Sequence, residues 1–448
     1  MNYEAPIAEI SFVLKGIGDI ATVAPDLSAE TFAQVLTEAG RFAAEVLEPI
    51  DKIGDRHGPV LDPATATVTT PYGWKPAWKV FAEAGWIGLS APQDLGGQGL
   101  PVMLQASVEE IWNAANPSFA VGVLLTQSAI HALSAHATDP SLRPTIERLV
   151  GGTWTATMNL TEQAAGSDLN GVRTTAVPAP DGTYRISGVK IFITYGEHDL
   201  AGNIIHLVLA RLPDAPAGTR GLSLFVVPKL LPDGDGGHTV RNAVRAIGVE
   251  RKLGLHGSPT CTMAYEEATG FLVGEANRGL AAMFTMMNLA RLSVGVQGLG
   301  VAERAYQGAL AYARERRQGR APGWTGEGMS PIVFHPDVAA MLLRMKSLTA
   351  GARALTLATA HALDLSHRAA DPDARAAAAD RASLLTPLAK AFPTDAAIEV
   401  ANLGIQVHGG AGYIEETGAA QRLRDARIFA IYEGTNGIQA IDLVTRKL

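Results

Sequence analysis

A double change of hydrophobic period constrains this chain more than any other feature. In the first third, apolar residues recur at helical spacing: after Ser28, a candidate N-cap, come Phe32, Val35, Leu36, Ala39 and Phe42, and later Trp78, Phe81 and Ala84. The middle third turns to strand. Tyr184-Arg185-Ile186-Ser187 alternates, residues 189–194 are rich in β-branched side chains, and 204–210 and 222–227 are short apolar runs ended by Pro213 and Pro228. From about Gly279 the helical period returns. Leu280, Met283, Phe284 and Met287 fit it, as do Val338, Met341, Leu342 and Met345, and residues 350–379 are alanine-rich. The expected fold class is α+β, with an N-terminal helical domain (1–155), a middle β domain (156–276) and a C-terminal helical bundle (277–448).

Between these blocks, residues 59–72 read as an extended loop or short hairpin and 322–336 as a loop between bundle helices. Residues 92–101 read as a glycine-rich turn that could also meet substrate. They lack the strand–helix context and the Lys-Ser/Thr ending of a phosphate cradle.

At 448 residues, 47% hydrophobic and 18% charged, the chain can bury a sizeable core. Its 37 Lys and Arg against 44 Asp and Glu give a net charge of -7, which argues against a duplex nucleic-acid binder. The only cysteine, Cys261, excludes an intramolecular disulfide and a multi-cysteine metal cluster, and no metal site is expected. No uninterrupted apolar stretch reaches the ~18 residues of a membrane span. Residues 1–15 carry Glu4 and Glu9 and lack a basic leader region, so the expected location is cytoplasmic.

Three windows carry chemistry. In Ile431-Tyr432-Glu433-Gly434-Thr435-Asn436-Gly437 a carboxylate lies between an aromatic ring and a glycine, with Ile428, Phe429 and Ile431 just upstream. Poor solvation raises a carboxylate pKa and suits it to act as a base near neutral pH. Alone, the window reads first as a helix-end Glu before a Gly C-cap, which is ordinary helix punctuation. The second window, Leu160-Thr161-Glu162-Gln163-Ala164-Ala165-Gly166-Ser167-Asp168, offers hydroxyls and glycine backbone to a polar planar ligand, or simply forms turns. In the third, Lys190-Ile191-Phe192-Ile193-Thr194 places an aromatic ring and a hydroxyl on the same side of a strand, where they could flank a flavin; a partly buried edge strand is the alternative.

Read with Arg314-Glu315-Arg316-Arg317-Gln318-Gly319-Arg320, Gln406-Val407-His408-Gly409-Gly410-Ala411-Gly412-Tyr413 and Arg424-Asp425-Ala426-Arg427, these windows make nearly the whole chain resemble the acyl-CoA dehydrogenase family. The blocks stand in the family's order on a helix–strand–helix background. Residues 96–101, 252–260 and 436–448 look most similar to its 3-methylmercaptopropionyl-CoA dehydrogenase branch. The resemblance implies a four-helix C-terminal bundle with FAD between it and the β domain. Met158, Leu160, Thr161, Gly166, Ser167, Phe192, Thr194, Thr435 and Asn436 would hold the cofactor. Arg316, Gln406, Gly409 and Gly410 would reach the FAD of a neighbouring subunit, so a homodimer or homotetramer is implied. Ser167, Asn288, Arg291, Tyr432 and Gly434 would meet the acyl-CoA substrate, and Glu433 would be the catalytic base.

The implied reaction is α,β-dehydrogenation of an acyl-CoA to the trans-2-enoyl-CoA, with an electron-transfer flavoprotein as acceptor and a place in fatty-acid β-oxidation. Short to medium acyl chains are expected from the branch, with Leu100, Met103 and Leu104 as apolar candidates for the pocket wall. Gln163 replaces the family's usual Pro, and Phe192 its usual Trp. Relatives in the branch usually continue into an extra helical domain, whereas this sequence ends at Arg446-Lys447-Leu448. An acyl-CoA oxidase would share the same base. A flavin monooxygenase of this fold would normally lack it, and nucleic-acid-associated relatives would need a basic surface. Residues 280–299 carry no Glu or Asp that could replace Glu433, and Glu415 and Glu416 are expected to face solvent.

Overall fold

A computed structural model describes residues 3–16 and 20–448; part of the leader-free reading of residues 1–15 lies outside the described residues. Ser28 caps its helix as expected, its Oγ accepting from the Thr31 amide at 3.0 Å. The N-terminal helices are α1 (Ile7–Gly16), α2 (Ala29–Phe42), α3 (Glu48–His57), α4 (Trp74–Glu83), α5 (Val102–Ala115), α6 (Pro117–His136) and α7 (Arg143–Val150). Residues 59–72 form the hairpin of β1 (Val60–Asp62) and β2 (Thr67–Thr69). The N-terminal helices enclose an aromatic core of Trp74, Trp78, Phe81, Trp112 and Phe119, in which Trp74–Phe119, Phe81–Trp112 and Phe81–Phe119 meet edge-to-face, the Phe81 and Trp112 centroids 4.7 Å apart.

The middle region contains β3 (Trp154–Asn159), β4 (Thr175–Pro178), β5 (Tyr184–Thr194), β6 (Asn203–Arg211), β7 (Leu222–Pro228), β8 (Leu230–Pro232), β9 (His238–Arg241), β10 (Val244–Val249) and β11 (Thr260–Val273). The two windows read at 184–187 and 189–194 are one continuous strand, β5. A seven-stranded sheet runs β10-β11-β5-β4-β6-β3, with β7 bridging β11 and β6. It has its own apolar core around Ile186, Val208, Phe225 and Cys261, and burial pushes the Cys261 thiol up to about 12, consistent with a structural role.

The C-terminal bundle consists of α8 (Gly279–Glu315), α9 (Pro336–Arg368), α10 (Pro372–His408) and the short α11 (Ala419–Ala426) and α12 (Asn436–Asp442). The alanine-rich run 350–379 is not one helix. Asp371 caps α10 by accepting from the Asp373 amide at 3.2 Å, and Pro372 follows it. Gly295 of α8 lies directly against the Ala389 carbonyl of α10. That carbonyl lacks its usual intrahelical donor because residue 393 is proline. A Cβ at Gly300 would lie 2.8 Å from the Ala114 amide of α5, so α8 is wedged between α5 and α10.

Among the described residues two helices, α6 and α8, are long and apolar enough to cross a bilayer, although no uninterrupted apolar run predicts it. Their apolar windows are 83% and 67% buried inside the protein, as in core helices.

Candidate active site

The site is built on the turn between α11 and α12. The first of these ends at Ala426, and Thr435 caps the second by accepting from the Ile438 amide at 3.2 Å. Between them Glu433 and Gly434 both have left-handed backbone, φ 53° and 86°. The sequence alternative of a helix-end Glu before a C-capping Gly is therefore wrong: Gly434 precedes a helix start. Left-handed backbone at a non-glycine residue is strained by about 1 kcal/mol or more and persists only where neighbours fix it. Here the Asn436 amide donates to Ala430 O at 3.1 Å and Gln439 Nε2 donates to Gly434 O at 3.2 Å.

Burial pushes the Glu433 carboxyl up to about 7, while Arg291 on α8 and Lys390 on α10 act against that rise. The apolar surroundings differ from the sequence expectation. Phe429 is fully buried and stacks 6.1 Å from Tyr432, but Ile431 is 46% exposed. Tyr432 Oη donates to Gln297 Oε1 of α8. Arg291 is buried; its guanidinium donates to Asn288 Oδ1 at 3.3 Å and lies 3.8 Å from the Asp442 carboxylate, which Arg446 approaches at 3.5 Å. A cavity of about 170 Å³ opens beside Arg291, lined by Asn288, Thr386, Asp442 and Lys447. Leu100 is half-buried, and Met103 and Leu104 are fully buried in the main core.

A larger cavity of about 370 Å³, lined by Lys52, Asp55, His256 and Arg424, is a different place, and its charges largely pair with one another. Arg424 donates to both Asp55 oxygens at 2.8 and 2.6 Å, and Asp425 accepts from the Leu255 amide at 2.6 Å. The Arg424-Asp425 block thus anchors α11, which leads into the Glu433 turn. Glu415 and Glu416 are exposed as expected.

In the β domain the windows at 160–168 and 190–194 are locked together. Lys190 Nζ, fully buried, donates to Leu160 O at 3.0 Å and Glu162 Oε1 at 2.8 Å; Glu162 also accepts from Thr174 Oγ1 and the Arg173 amide; and the Ile191 amide donates to Thr161 O at 2.9 Å. The strand alternation predicted for Phe192 and Thr194 is broken by a bulge against β11. Phe192 has φ 58°, so Lys190 and Ile193, three residues apart, both point inward. Phe192 is left 60% exposed and Thr194 half-buried. Gly166 and Ser167 are exposed, with nothing within 4 Å of a Cβ built at Gly166, whereas Met158 is buried in β3. An uncovered aromatic beside open glycine backbone and hydroxyls fits a flat polar cofactor such as a flavin.

Thr435 Oγ1 serves as the cap, and the Asn436 amide is taken up by α10: its Oδ1 accepts from Lys390 Nζ at 2.9 Å and its Nδ2 donates to Asp395 at 2.8 Å. Arg316, Gln406, Gly409 and Gly410 are all exposed and stand together at the far end of the bundle, where Tyr312 and His408 stack at 4.5 Å. Arg316 is 25 residues beyond Arg291, or about 37 Å at the rise of an α-helix. It belongs to a different cluster from Glu433.

Sequence reasoning missed Lys390, Gln297, Gln439 and Asp442. The sole signal for Lys390 was a lone charge in the apolar run Leu388-Ala389-Lys390-Ala391-Phe392-Pro393. Gln297 and Gln439 carried none.

This chain belongs to the acyl-CoA dehydrogenase family, and it is an oxidoreductase of that class. Sequence models of the family's N-terminal, middle and C-terminal domains match residues 30–153, 157–268 and 277–448. The chain is 51% identical to the 3-methylmercaptopropionyl-CoA dehydrogenase of Ruegeria pomeroyi, over 100% of its own length and 76% of the relative's. A butyryl-CoA dehydrogenase of Syntrophomonas wolfei is 38% identical over 91% of this chain and 68% of its own. Among solved structures, an acyl-CoA dehydrogenase from Bacillus anthracis complexed with FAD superposes with a TM-score of 0.76 at 25% identity, covering 97% of this chain and 69% of that one.

Proposed function

We propose that this protein removes the α-proton and β-hydride of a short- to medium-chain acyl-CoA, giving the trans-2-enoyl-CoA, with Glu433 as the α-proton base. One observation carries the reading: the Glu433 carboxyl, raised to about 7, faces two cations, Arg291 and Lys390, and the first of these lines a cavity. A base near the ambient pH combines a useful ionised fraction with enough proton affinity. The Glu433 amide bonds to no acceptor among the described residues, so it is available to the thioester oxygen as enolate charge develops. Asn288 and Arg291, at the cavity wall, orient the substrate. FAD, when bound, supplies the acceptor for the β-hydride at its N5. Leu160, Thr161, Gly166, Ser167, Phe192 and Thr194 would hold it.

We further propose the 1–155, 156–276 and 277–448 domain division, a cytoplasmic location, and reoxidation by an electron-transfer flavoprotein. The test is anaerobic flavin bleaching with saturated acyl-CoAs of graded length. Bleaching by short and medium chains, with enoyl-CoA as product and little peroxide in air, supports the reading. Preference for very long chains contradicts the substrate range, and stoichiometric peroxide makes the protein an oxidase.

A further inference from the structure

Lys390 lies on the stretch of α10 that packs against α8 and is fully buried. A buried ammonium normally bonds a carboxylate, because charge taken out of water needs a partner. Lys390 instead donates to a neutral amide, Asn436 Oδ1, at 2.9 Å. That amide is itself fixed: Thr394 Oγ1 also donates to its oxygen at 3.3 Å, and its nitrogen donates to Asp395 at 2.8 Å and Ala391 O at 3.3 Å. The Asn436 backbone amide closes the turn on Ala430 O, so the lysine and the Glu433–Gly434 turn form one unit.

The charges around this unit come from three elements. Glu433 faces Lys390 from the turn, Asp395 from its own helix and Arg291 from α8. Asp395 is exposed, so water screens it. Arg291 also faces Asp442, which Arg446 approaches, and Tyr432 is the remaining titratable neighbour of Glu433. Burial lowers Lys390 to about 8, which leaves it mostly protonated at neutral pH.

We propose that Lys390 is a positioning residue for the base: through Asn436 it clamps the turn that carries Glu433, and with Arg291 it supplies the positive charge facing that carboxylate. This rests on the reading of Glu433 given above. Arg291, shared with Asp442, offers Glu433 only part of its charge, whereas Lys390 has no other buried carboxylate among the groups that face it.

The test is K390M in the flavin-loaded protein, read in two ways. The pH profile of anaerobic flavin reduction should move upward by about one unit or more, the effect of losing an opposite charge near a carboxylate. At about pH 7 that is a roughly fivefold slower reduction, approaching tenfold at lower pH and recovering at higher pH. Independently of turnover, the Glu433 carboxyl resonance in isotope-labelled protein, assigned by its loss in E433Q, should titrate higher by the same amount. K390R should restore both midpoints. If K390M does not retain flavin, K390Q, which keeps a donor to Asn436 without the charge, takes its place. A uniform rate loss with an unmoved midpoint overturns the proposal. A moved titration in a protein that no acyl-CoA reduces overturns the enzymatic reading and leaves the electrostatic link standing.

Discussion

Glu433 is subject to opposing demands that set its chemistry. Low solvation disfavours its charge, and Arg291 and Lys390 favour it, with the balance at about 7. The ionised form is the base, and its fraction grows as pH rises through that value. Substrate-driven flavin reduction should therefore rise with pH to a plateau, with a midpoint near 7; a profile flat down to about pH 5 would mean the base is an ordinary solvated carboxylate. At this scale the sequence was legible where function is local. Tyr432-Glu433-Gly434-Thr435 pointed at the base, but the left-handed backbone at Glu433 was invisible, because glutamate rarely adopts it. Lys390 and Gln297 were hidden for another reason. They reach the turn from helix positions 43 or more residues away in sequence, and no local pattern encodes that meeting.

The helices were legible from their period, since α2 and α4 bury one stripe each, and the bundle glycines pack where helices must approach closely. The bulge at Phe192 was not: strand alternation predicts a regular pleat, and only the register against β11 shows the extra residue. A buried ionic hub joins the helices. Arg353 of α9 donates to Glu110 of α5 at 2.6 Å, Glu303 of α8 at 2.7 Å and Glu9 of α1 at 3.1 Å. Burial, helped by the neighbouring Glu303 and Glu9 carboxylates, raises the Glu110 carboxyl, and Arg353 opposes that rise. Arg353→Leu would leave two buried carboxylates without their cation and should destabilise the fold by about 3–5 kcal/mol. A denaturant midpoint unchanged from wild type would show that the helices pack without the hub.

Across the whole molecule, the cluster of Arg316 with Gln406, Gly409 and Gly410 is separated from Glu433 by most of the length of α8. Exposed arginine beside open glycine backbone is suited to phosphate oxygens. On our account this end serves the cofactor of a second copy, so R316A should weaken FAD retention without altering the helical content. A monomer by light scattering that holds stoichiometric FAD would remove this role. The family and the three-part architecture were legible because separated blocks had to occur in one order; the distance between the Arg316 cluster and Glu433 needed the helix lengths. The central claim, that Glu433 takes the α-proton, is tested most directly by anaerobic stopped-flow flavin reduction in E433Q with the best acyl-CoA. We expect FAD and substrate to bind normally and reduction to slow by at least about 10²–10⁴-fold, the usual loss when a general base is removed. Bleaching of E433Q at the wild-type rate would place the base elsewhere.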